Sequence, residues 1–300
     1  MSSLAPFLNS LARQYHRSDY LMSDPISVVH RYSDPLDQEV VALFAALLAY
    51  GNVKQILASL DAALERVHAL QPRGPAAWAQ ELSKAPARRR ALSRFESWVH
   101  RFNRGVDLVV LGQLIGGEQS EFGSVGQSFG KYMDPGAQTI EVGLNAWIQK
   151  WRKQARGLEG YAHTFDYLLT APEDGSCCKR WNLLLRWMVR KDEIDLGLWA
   201  SERLRPDQLV MPLDTHTGRI SQYLGLTLRS TLNWKAALEV TQGLRECDPQ
   251  DPIRYDFALC RLGILDLCQN AYRVKICEQC QLFPVCRIAQ HSKSVQPSTS

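Results

Sequence analysis

The chain has 300 residues, of which 45% are hydrophobic and 22% are charged. This length and composition supply a core for one large or two ordinary domains and exclude a disordered or fibrous protein. Lys and Arg number 35 against 31 Asp and Glu, so the net charge of +4 permits a polyanionic partner without requiring one. The longest strongly apolar run, Val40 to Tyr50, is too short for a membrane span, and we expect no membrane partner.

The first residues lack the basic start, apolar stretch and small-residue cleavage site of a secretory signal. We therefore expect a cytoplasmic protein. In a reducing compartment the eight cysteines are not expected to form disulfides, which directs attention to metal binding or to burial.

Helix signals begin at Asp34, which offers an N-cap, with Pro35 at the first helical position and Gly51 as a stop. Residues 53–70 carry apolar side chains at helical spacing and predict a second, antiparallel helix. Further on, we predict a connection over 71–86, a helix over 87–103, a helix over 107–114, glycine-marked loops over 116–136 and a helix over 139–157.

No segment shows sustained strand-like alternation between turn signals, so the predicted fold class is all-α. The last ten residues, 291–300, have the composition of a disordered tail.

Four cysteines fall in one short window with the spacing C-x8-C-x2-C-x5-C. Four thiolates this close supply one sulfur ligand for each iron of a [4Fe-4S] cluster. Zinc is the alternative, since four thiolates also suit tetrahedral Zn, although structural zinc more often uses two separate short Cys pairs. The remaining cysteines, Cys177, Cys178, Cys247 and Cys260, are interpreted as buried or incidental thiols. The predicted ligands are Cys268, Cys277, Cys280 and Cys286.

The segment MPLDTHTGRISQYLGL places Asp214 at the start of a predicted helix that ends near Gly225. One interpretation is a plain N-cap, in which the carboxylate accepts hydrogen bonds from the free amides of the first turn. The functional interpretation is a carboxylate that stabilises a developing cationic sugar or activates water.

The stretch LDTHTGRI, followed by the four-cysteine window, resembles the endonuclease III and adenine glycosylase branch of the helix-hairpin-helix (HhH-GPD) DNA glycosylase superfamily. The resemblance implies that Asp214 is the catalytic carboxylate, that His216 and Arg219 are its DNA-contacting motif companions, and that the four cysteines hold the cluster. The first cluster loop is two residues longer here than in the C-x6-C-x2-C-x5-C pattern of that family.

The resemblance extends upstream of this motif. Tyr50, Gly51 and Asn52 occupy the place where members of the superfamily present residues to the DNA stack. The stretch CCKRWNLLLRWMVR is similar to the lysine-bearing helix of the superfamily, which aligns Lys179 with the Schiff-base lysine and Asn182 with an asparagine of that helix. The alternative for Lys179 is a side chain that decorates the first turn of a helix.

More closely, the phrases LLAYGN, LRWMVRKDEIDLGLW, PLDTHTGRI and DPIRYDFALCRLGI resemble a bacterial family of glycosylase-like proteins known as DUF2400. That resemblance covers nearly the whole chain.

The sequence also departs from the superfamily pattern. Where the L-P-G-V-G hairpin lets backbone amides approach a DNA phosphate, this chain has APEDGSCCKR, with Gly175 and the acids Glu173 and Asp174, which repel phosphate. Lys179 and Asp214 are 35 residues apart, a longer spacing than in the endonuclease III branch.

Two arginines, Arg186 and Arg190, share one helix face because they are four residues apart. They either hold DNA phosphate or pair with Asp192 and Asp195. In the second interpretation, Trp187 and Trp199 belong to the core and Asp256 is a buried partner for one of these arginines.

The resemblance implies two helical domains that flank a DNA groove. Residues 36–175 would form a helical barrel, and residues 1–35 with 176–290 a discontinuous domain that carries Asp214 and the cluster. The predicted protein is a monomeric DNA glycosylase of base excision repair, with or without AP-lyase activity, that extrudes a damaged or mismatched base from double-stranded DNA. The alternatives are a non-catalytic iron-sulfur nucleic-acid-binding lesion sensor and an enzyme that acts on RNA.

Overall fold

The computed structural model describes residues 4–269 and 271–290, and this part of the chain is predominantly α-helical, which confirms the predicted all-α class. The α-helices are α1 Ala5–Tyr15, α2 Ile26–Val29, α3 Pro35–Leu47, α4 Val53–Leu70, α5 Pro75–Glu81, α6 Ala85–Phe95, α7 Gly105–Phe122, α8 Val125–Gly130, α9 Glu141–Ala155, α10 Lys179–Val189, α11 Thr215–Tyr223, α12 Trp234–Arg245, α13 Asp256–Ile264 and α14 Val274–Cys277. Short 3-10 helices span Ser18–Ser23, His163–Leu168, Pro172–Asp174, Pro206–Gln208 and Phe283–Val285. Strands β1 Val99–His100 and β2 Asn103–Arg104 form one antiparallel pair, with Val99 opposite Arg104.

The predicted start signals of the first helix pair are confirmed. The Asp34 carboxylate accepts hydrogen bonds from the backbone amides of Leu36 and Asp37, at 2.9 and 3.0 Å, and Pro35 is the first residue of α3. The chain then turns at Gly51, whose φ of 103° lies in the left-handed region that favours glycine.

No helix in the described part of the chain is long and apolar enough to cross a membrane.

The predicted connection over 71–86 and the predicted loops over 116–136 were wrong, because both segments contain helix. Helix α5 lies within the first segment, while α7 continues past Gly116 to Phe122 and α8 follows it. Gly116 gives the reason, since a Cβ on it would lie 2.1 Å from the carbonyl oxygen of Ala79 in α5. The glycine allows close packing of two helices, so it does not mark a loop here.

The predicted helix over 87–103 ends early, at Phe95, and the chain forms the β1–β2 hairpin instead. The hairpin is held from outside its own sequence, because the buried Asn103 amide donates to Asp107 at 2.8 Å and to the carbonyl of Thr164 at 2.9 Å. At the tip, Arg101 adopts a φ of 52°, a left-handed conformation that a helix does not permit.

The centre of the fold is α3, which is buried from Val40 to Leu47 and packs against α2, α5 and α10. The carboxyl end of α3 lies beside the amino end of α10, since Arg180 donates to the carbonyl of Leu47 at 2.9 Å. This contact brings the residues after α3 next to the first residue of α10.

The proposed division at residues 35 and 175 stays a prediction. The predicted tail, residues 291–300, lies outside the described residues.

A buried carboxylate, Glu39, joins the start of α8 to α3. It accepts hydrogen bonds from the amides of Val125 and Gly126, both at 2.9 Å, from Gln119 at 3.0 Å and from the Trp199 indole at 2.8 Å. Four donors from three separate segments therefore depend on one side chain.

We expect Glu39→Ala to lower the free energy of unfolding by at least about 3 kcal/mol, because it leaves these buried donors without their acceptor. The exposed Glu96 provides the matched control, and Glu96→Ala should change the stability by less than about 0.5 kcal/mol. Urea denaturation of both variants measures the difference. Equal stability of the two variants would contradict a supporting role for Glu39.

Candidate functional site

A cavity of about 440 Å³ opens where α3, α4, α10, α11 and α13 meet. Several of the sequence-predicted site residues line it together. Tyr50 and Gly51 come from the turn after α3, Lys179 from the start of α10, and Asp214 and His216 from the start of α11. The remaining lining residues are Asp24, Pro25, Ala49, Val53, Ile56, Leu183, Arg186, Pro212, Thr215, Thr217, Asp256, Cys260 and Ile264.

Asp214 is the N-cap of α11, as the first interpretation predicted. Its Oδ1 atom accepts from the backbone amides of His216 and Thr217, at 2.9 and 3.0 Å, while the Asp214 amide donates to the Thr217 hydroxyl at 2.9 Å. Its Oδ2 atom lies 3.8 Å from the Lys179 Nζ atom. Capping therefore uses one carboxylate oxygen and leaves the other directed toward the lysine.

Lys179 is the first residue of α10 and donates from Nζ to the carbonyl of Ala49 at 3.1 Å. The Lys179 and Asp214 side chains are 27% and 29% exposed, so both are accessible from the solvent at the cavity mouth. The two groups are oriented by backbone contacts in separate elements, which fixes their separation without a direct short hydrogen bond.

The thiols near this pair are poor nucleophiles. Burial raises the pKa of Cys178 to about 12 and also raises the pKa of Cys177. Burial raises the pKa of Cys260, which lines the cavity, to about 12 as well. These three thiols therefore stay protonated at neutral pH, in keeping with their interpretation as buried thiols.

An aromatic cluster forms one rim of the cavity. The ring of Tyr50 lies 5.1 Å from that of Tyr167 and 6.3 Å from that of Phe102, between centroids, and the Arg180 guanidinium lies 4.5 Å from the Tyr167 ring and 5.2 Å from the Tyr50 ring. Burial raises the pKa of Tyr50 to about 12, so its phenol remains a donor, here to Asn103 at 2.7 Å.

Phe102 at the hairpin tip was not recognised from the sequence, although its side chain is 58% exposed beside this rim. Arg101 lies next to it, with its guanidinium against Gly51, where a Cβ would be 2.8 Å from the Arg101 Nη1 atom. The sequence shows only a phenylalanine beside an arginine, a pattern that is not distinctive by itself.

Asn52 caps α4, accepting from the amide of Lys54 at 2.9 Å, and does not line the cavity. Arg219 lies behind His216 and donates to the carbonyl of Cys268 at 2.9 Å. His216 and Arg219 therefore connect the cavity wall to the cysteine window.

Arg186 and Arg190 are buried in an ion network. Arg186 contacts Asp195 at 3.2 Å and Asp256, which confirms Asp256 as a buried partner. Arg190 contacts Asp195 together with Asp192 and Asp251, each of the latter two at 2.9 Å. Both guanidinium groups are buried and form ion pairs with internal carboxylates, so neither presents an open surface to a phosphate.

Where the resemblance predicted a glycine-rich hairpin, the chain forms a 3-10 turn, Pro172–Asp174, followed by Gly175 in the left-handed region with a φ of 77°. Its acids are engaged by α9, since Arg152 pairs with Asp174 and Gln149 donates to Glu173. Hydrogen bonding to Arg152 holds the pKa of Asp174 below its usual value.

The cysteine window supplies four thiol donors, the ligand type that a [4Fe-4S] cluster or zinc binds. Burial raises the pKa of Cys268 to about 11, and the other three thiols are close enough to raise it further. The window holds no disulfide, and all four side chains are partly buried. In residues 4–269 and 271–290, however, no three ligating side chains are already gathered around a metal position. The residues that would hold the group are Cys268, Cys277, Cys280 and Cys286.

The fold and the site define an all-α protein with a cavity that joins a helix-capping aspartate, a lysine and an aromatic rim. A family model described as a protein of unknown function, DUF2400, matches residues 24–265, and the chain belongs to this family. The match includes every residue that lines the cavity and ends before the first cysteine of the window. No curated protein and no solved structure matches the chain.

We expect Asp195→Ala to lower the free energy of unfolding by about 3–5 kcal/mol, because it removes a carboxylate shared by two buried guanidinium groups. The control is Asp61→Ala, which breaks an exposed pair with Arg31 and should cost less than about 1 kcal/mol. Guanidinium denaturation of the two variants compares these costs. A loss for Asp195→Ala as small as the control would show that the network does not stabilise the fold.

Proposed function

We propose that this protein is a DNA glycosylase that excises a damaged or mismatched base from double-stranded DNA. The observation that carries the proposal is the Asp214–Lys179 pair, with 3.8 Å between Oδ2 and Nζ, on the wall of a cavity of about 440 Å³. A base inside a duplex is inaccessible to such a pair, so the target nucleotide must be extruded into the cavity. The resemblance of the LDTHTGRI and CCKRWNLLLRWMVR stretches to the glycosylase superfamily supports the same assignment.

The two side chains divide the chemistry between them. In the lyase route, the Lys179 amine forms a bond to C1′ with its lone pair, and the glycosidic bond breaks so that its electron pair leaves with the base. One amine proton goes to the departing base, and the second goes to the ring oxygen as the C1′–O4′ bond breaks, which opens the sugar and leaves an imine. In the hydrolytic route, Asp214 accepts a proton from the attacking water. In both routes its carboxylate stabilises the positive charge that develops on the sugar.

The aromatic rim supplies a surface for nucleic acid beside the cavity. Phe102 and Tyr167 present exposed aromatic area, on which bases stack favourably, and Arg101 and Arg180 add positive charge next to them. We propose that Phe102 contacts the base stack next to the extruded nucleotide. Tyr50 anchors this rim to the cavity wall because it both lines the cavity and bonds the hairpin.

The cysteine window would hold a structural [4Fe-4S] cluster through Cys268, Cys277, Cys280 and Cys286, with zinc as the alternative. When bound, the cluster cross-links the C-terminal loop and contributes no step of the reaction. The protein's own contribution is the contact from Arg219 to the carbonyl of Cys268, which ties that loop to α11 and so to Asp214.

A non-catalytic lesion sensor is the second candidate. It is favoured by the 3-10 turn at Pro172–Asp174, which carries two acids where the superfamily has a glycine-rich phosphate clasp. An enzyme that acts on RNA is the third candidate. Assays of base release and of binding distinguish the three candidates.

We expect the full-length protein to release one base from a panel of duplex oligonucleotides, each with a single lesion or mismatch, and Asp214→Asn to abolish release by at least about a hundredfold. Asparagine retains the N-cap because its side-chain oxygen accepts the same amide hydrogen bonds. Strand cleavage after hot alkali reveals each abasic site, whether or not an imine forms.

The matched control is Asp34→Asn, the same substitution at the N-cap of α3, which should keep full activity. Lys179→Ala should abolish borohydride trapping of the DNA, while Lys235→Ala, at an exposed position, should not. Activity that survives Asp214→Asn would overturn the assignment. Tight binding of a lesion without release of any base would favour the sensor, and release from RNA alone would favour the third candidate.

We expect the purified protein to be brown, with the broad visible absorbance of a [4Fe-4S] centre. Cys277→Ser should remove at least about half of this absorbance and the iron, because one of the ligands is lost. Cys247→Ser, at a partly buried thiol outside the window, should leave both unchanged. A colourless protein with one equivalent of bound zinc would contradict the cluster and support the zinc alternative.

A further inference from the structure

The inner part of the cavity, beyond the Asp214–Lys179 pair, is polar and charged. Asp24, Arg186 and Asp256 line the cavity and are almost completely buried, whereas Lys179 and Asp214 are more than a quarter exposed. The buried residues therefore form the floor, and the reacting pair lies at the mouth. A ligand that reached the Asp214–Lys179 pair from inside the cavity would rest on this floor.

One donor on the floor has no partner. Arg186 is 1% exposed, and its Nε and Nη1 atoms donate to Asp195 and Asp256. Its Nη2 atom is buried and makes no hydrogen bond within the described part of the chain. Buried charged donors are almost always satisfied in native proteins, so a donor left free on a residue that lines a cavity points to an acceptor supplied by a ligand.

An acceptor lies beside this donor. The Oδ2 atom of Asp256 accepts a hydrogen bond from Arg186 Nη1. No hydrogen bond to its Oδ1 atom is found among residues 4–269 and 271–290. Burial raises the pKa of Asp256 to about 6, so at neutral pH the carboxylate is mostly ionised and can accept a further N–H. Two contacting residues of the cavity lining thus carry an unpartnered donor atom and an acceptor carboxylate.

We propose that Arg186 and Asp256 form a base-reading floor that binds a lactam edge, a carbonyl oxygen next to a ring N–H. This inference rests on the proposed function and adds the substrate class, namely uracil, hypoxanthine and other bases with such an edge. Arg186 Nη2 donates to the carbonyl oxygen, and the Asp256 carboxylate accepts from the ring N–H.

The lactam is favoured over the amino edge of adenine or cytosine for a geometric reason. Arg186 is fixed by Asp195 and Asp256 and cannot advance toward a ligand. A carbonyl oxygen projects from the ring, whereas a ring nitrogen is recessed, so the immobile guanidinium reaches the oxygen more readily. Arginine likewise reads the carbonyl and ring acceptors of guanine in DNA more often than it reads adenine.

The test measures binding apart from catalysis, in full-length protein that carries Asp214→Asn. Fluorescence anisotropy compares duplexes that contain deoxyuridine, deoxyinosine or a tetrahydrofuran abasic analogue at one position. Adding Arg186→Lys should weaken binding of the first two duplexes by at least about tenfold, because lysine keeps the charge but loses Nη2. Binding of the abasic duplex should change by less than about twofold, since it has no base to read.

The matched control is Arg190→Lys, at a buried arginine that caps the end of α10 and belongs to the same network but does not line the cavity. It should leave the preference for the lactam duplexes unchanged. A uniform loss of affinity for all three duplexes with Arg186→Lys, or no initial preference for lactam bases over the abasic analogue, would overturn the proposed floor.

A second measurement needs no substitution in the network and applies if Arg186→Lys does not fold. Free uracil and hypoxanthine should raise the unfolding temperature of the unmodified protein, and adenine and cytosine should not, because only a ligand of the folded state stabilises it. Stabilisation by adenine and cytosine alone would contradict the lactam assignment.

These outcomes are separable from those of the proposed function. Lactam bases that bind but are never released would refute the glycosylase and support the floor. Release of adenine or cytosine alone would support the glycosylase and refute the floor.

Discussion

Arg186 of α10 and Arg190 at its C-cap bind four carboxylates, from the loop after α10 and from residues 251–256, and the walls of the cavity depend on this buried network. Arg186 and Arg190 share Asp195 from the loop after α10. Arg186 also binds Asp256 at the start of α13, while Arg190 binds Asp192 and Asp251. Removal of charge from water is costly unless each charge is paired, so these groups hold α10, its following loop and α13 in one arrangement.

The same helix brings Lys179 close to Asp214. α10 begins beside the carboxyl end of α3, where the carbonyl of Ala49 accepts a hydrogen bond from the Lys179 Nζ atom. Asp214 is oriented from another direction, by the amides that it caps at the start of α11. One carboxylate oxygen stabilises the helix and the other is left for the lysine, so the structural and functional interpretations of this aspartate do not exclude each other.

The cavity and the cysteine window are neighbours in space through α11. His216 lines the cavity, and Arg219, one turn further on, contacts the carbonyl of Cys268. The family match ends at residue 265, so the cavity lies within the shared region and the window follows it. A metal centre in that window would support the position of α11 without touching Asp214 or Lys179.

Several features were determined by local sequence. The caps at Asp34 and Asp214 were predicted correctly because an N-cap depends on amides only two or three residues away. The cysteine spacing likewise predicts a ligand set by proximity along the chain. The pairing of Asp256 with an arginine followed from the rule that buried charges need partners.

Other features were decided by tertiary structure. Gly116 resembled a loop signal, and only the backbone of α5 against it shows that it serves helix packing. The hairpin replaced a predicted helix because Asn103 bonds to Asp107 and Thr164, the latter far along the chain. Arg186 could have faced phosphate or carboxylate, since the charge pattern is the same in both cases. The sequence determines which groups need partners, but the folded chain decides which partners come within reach.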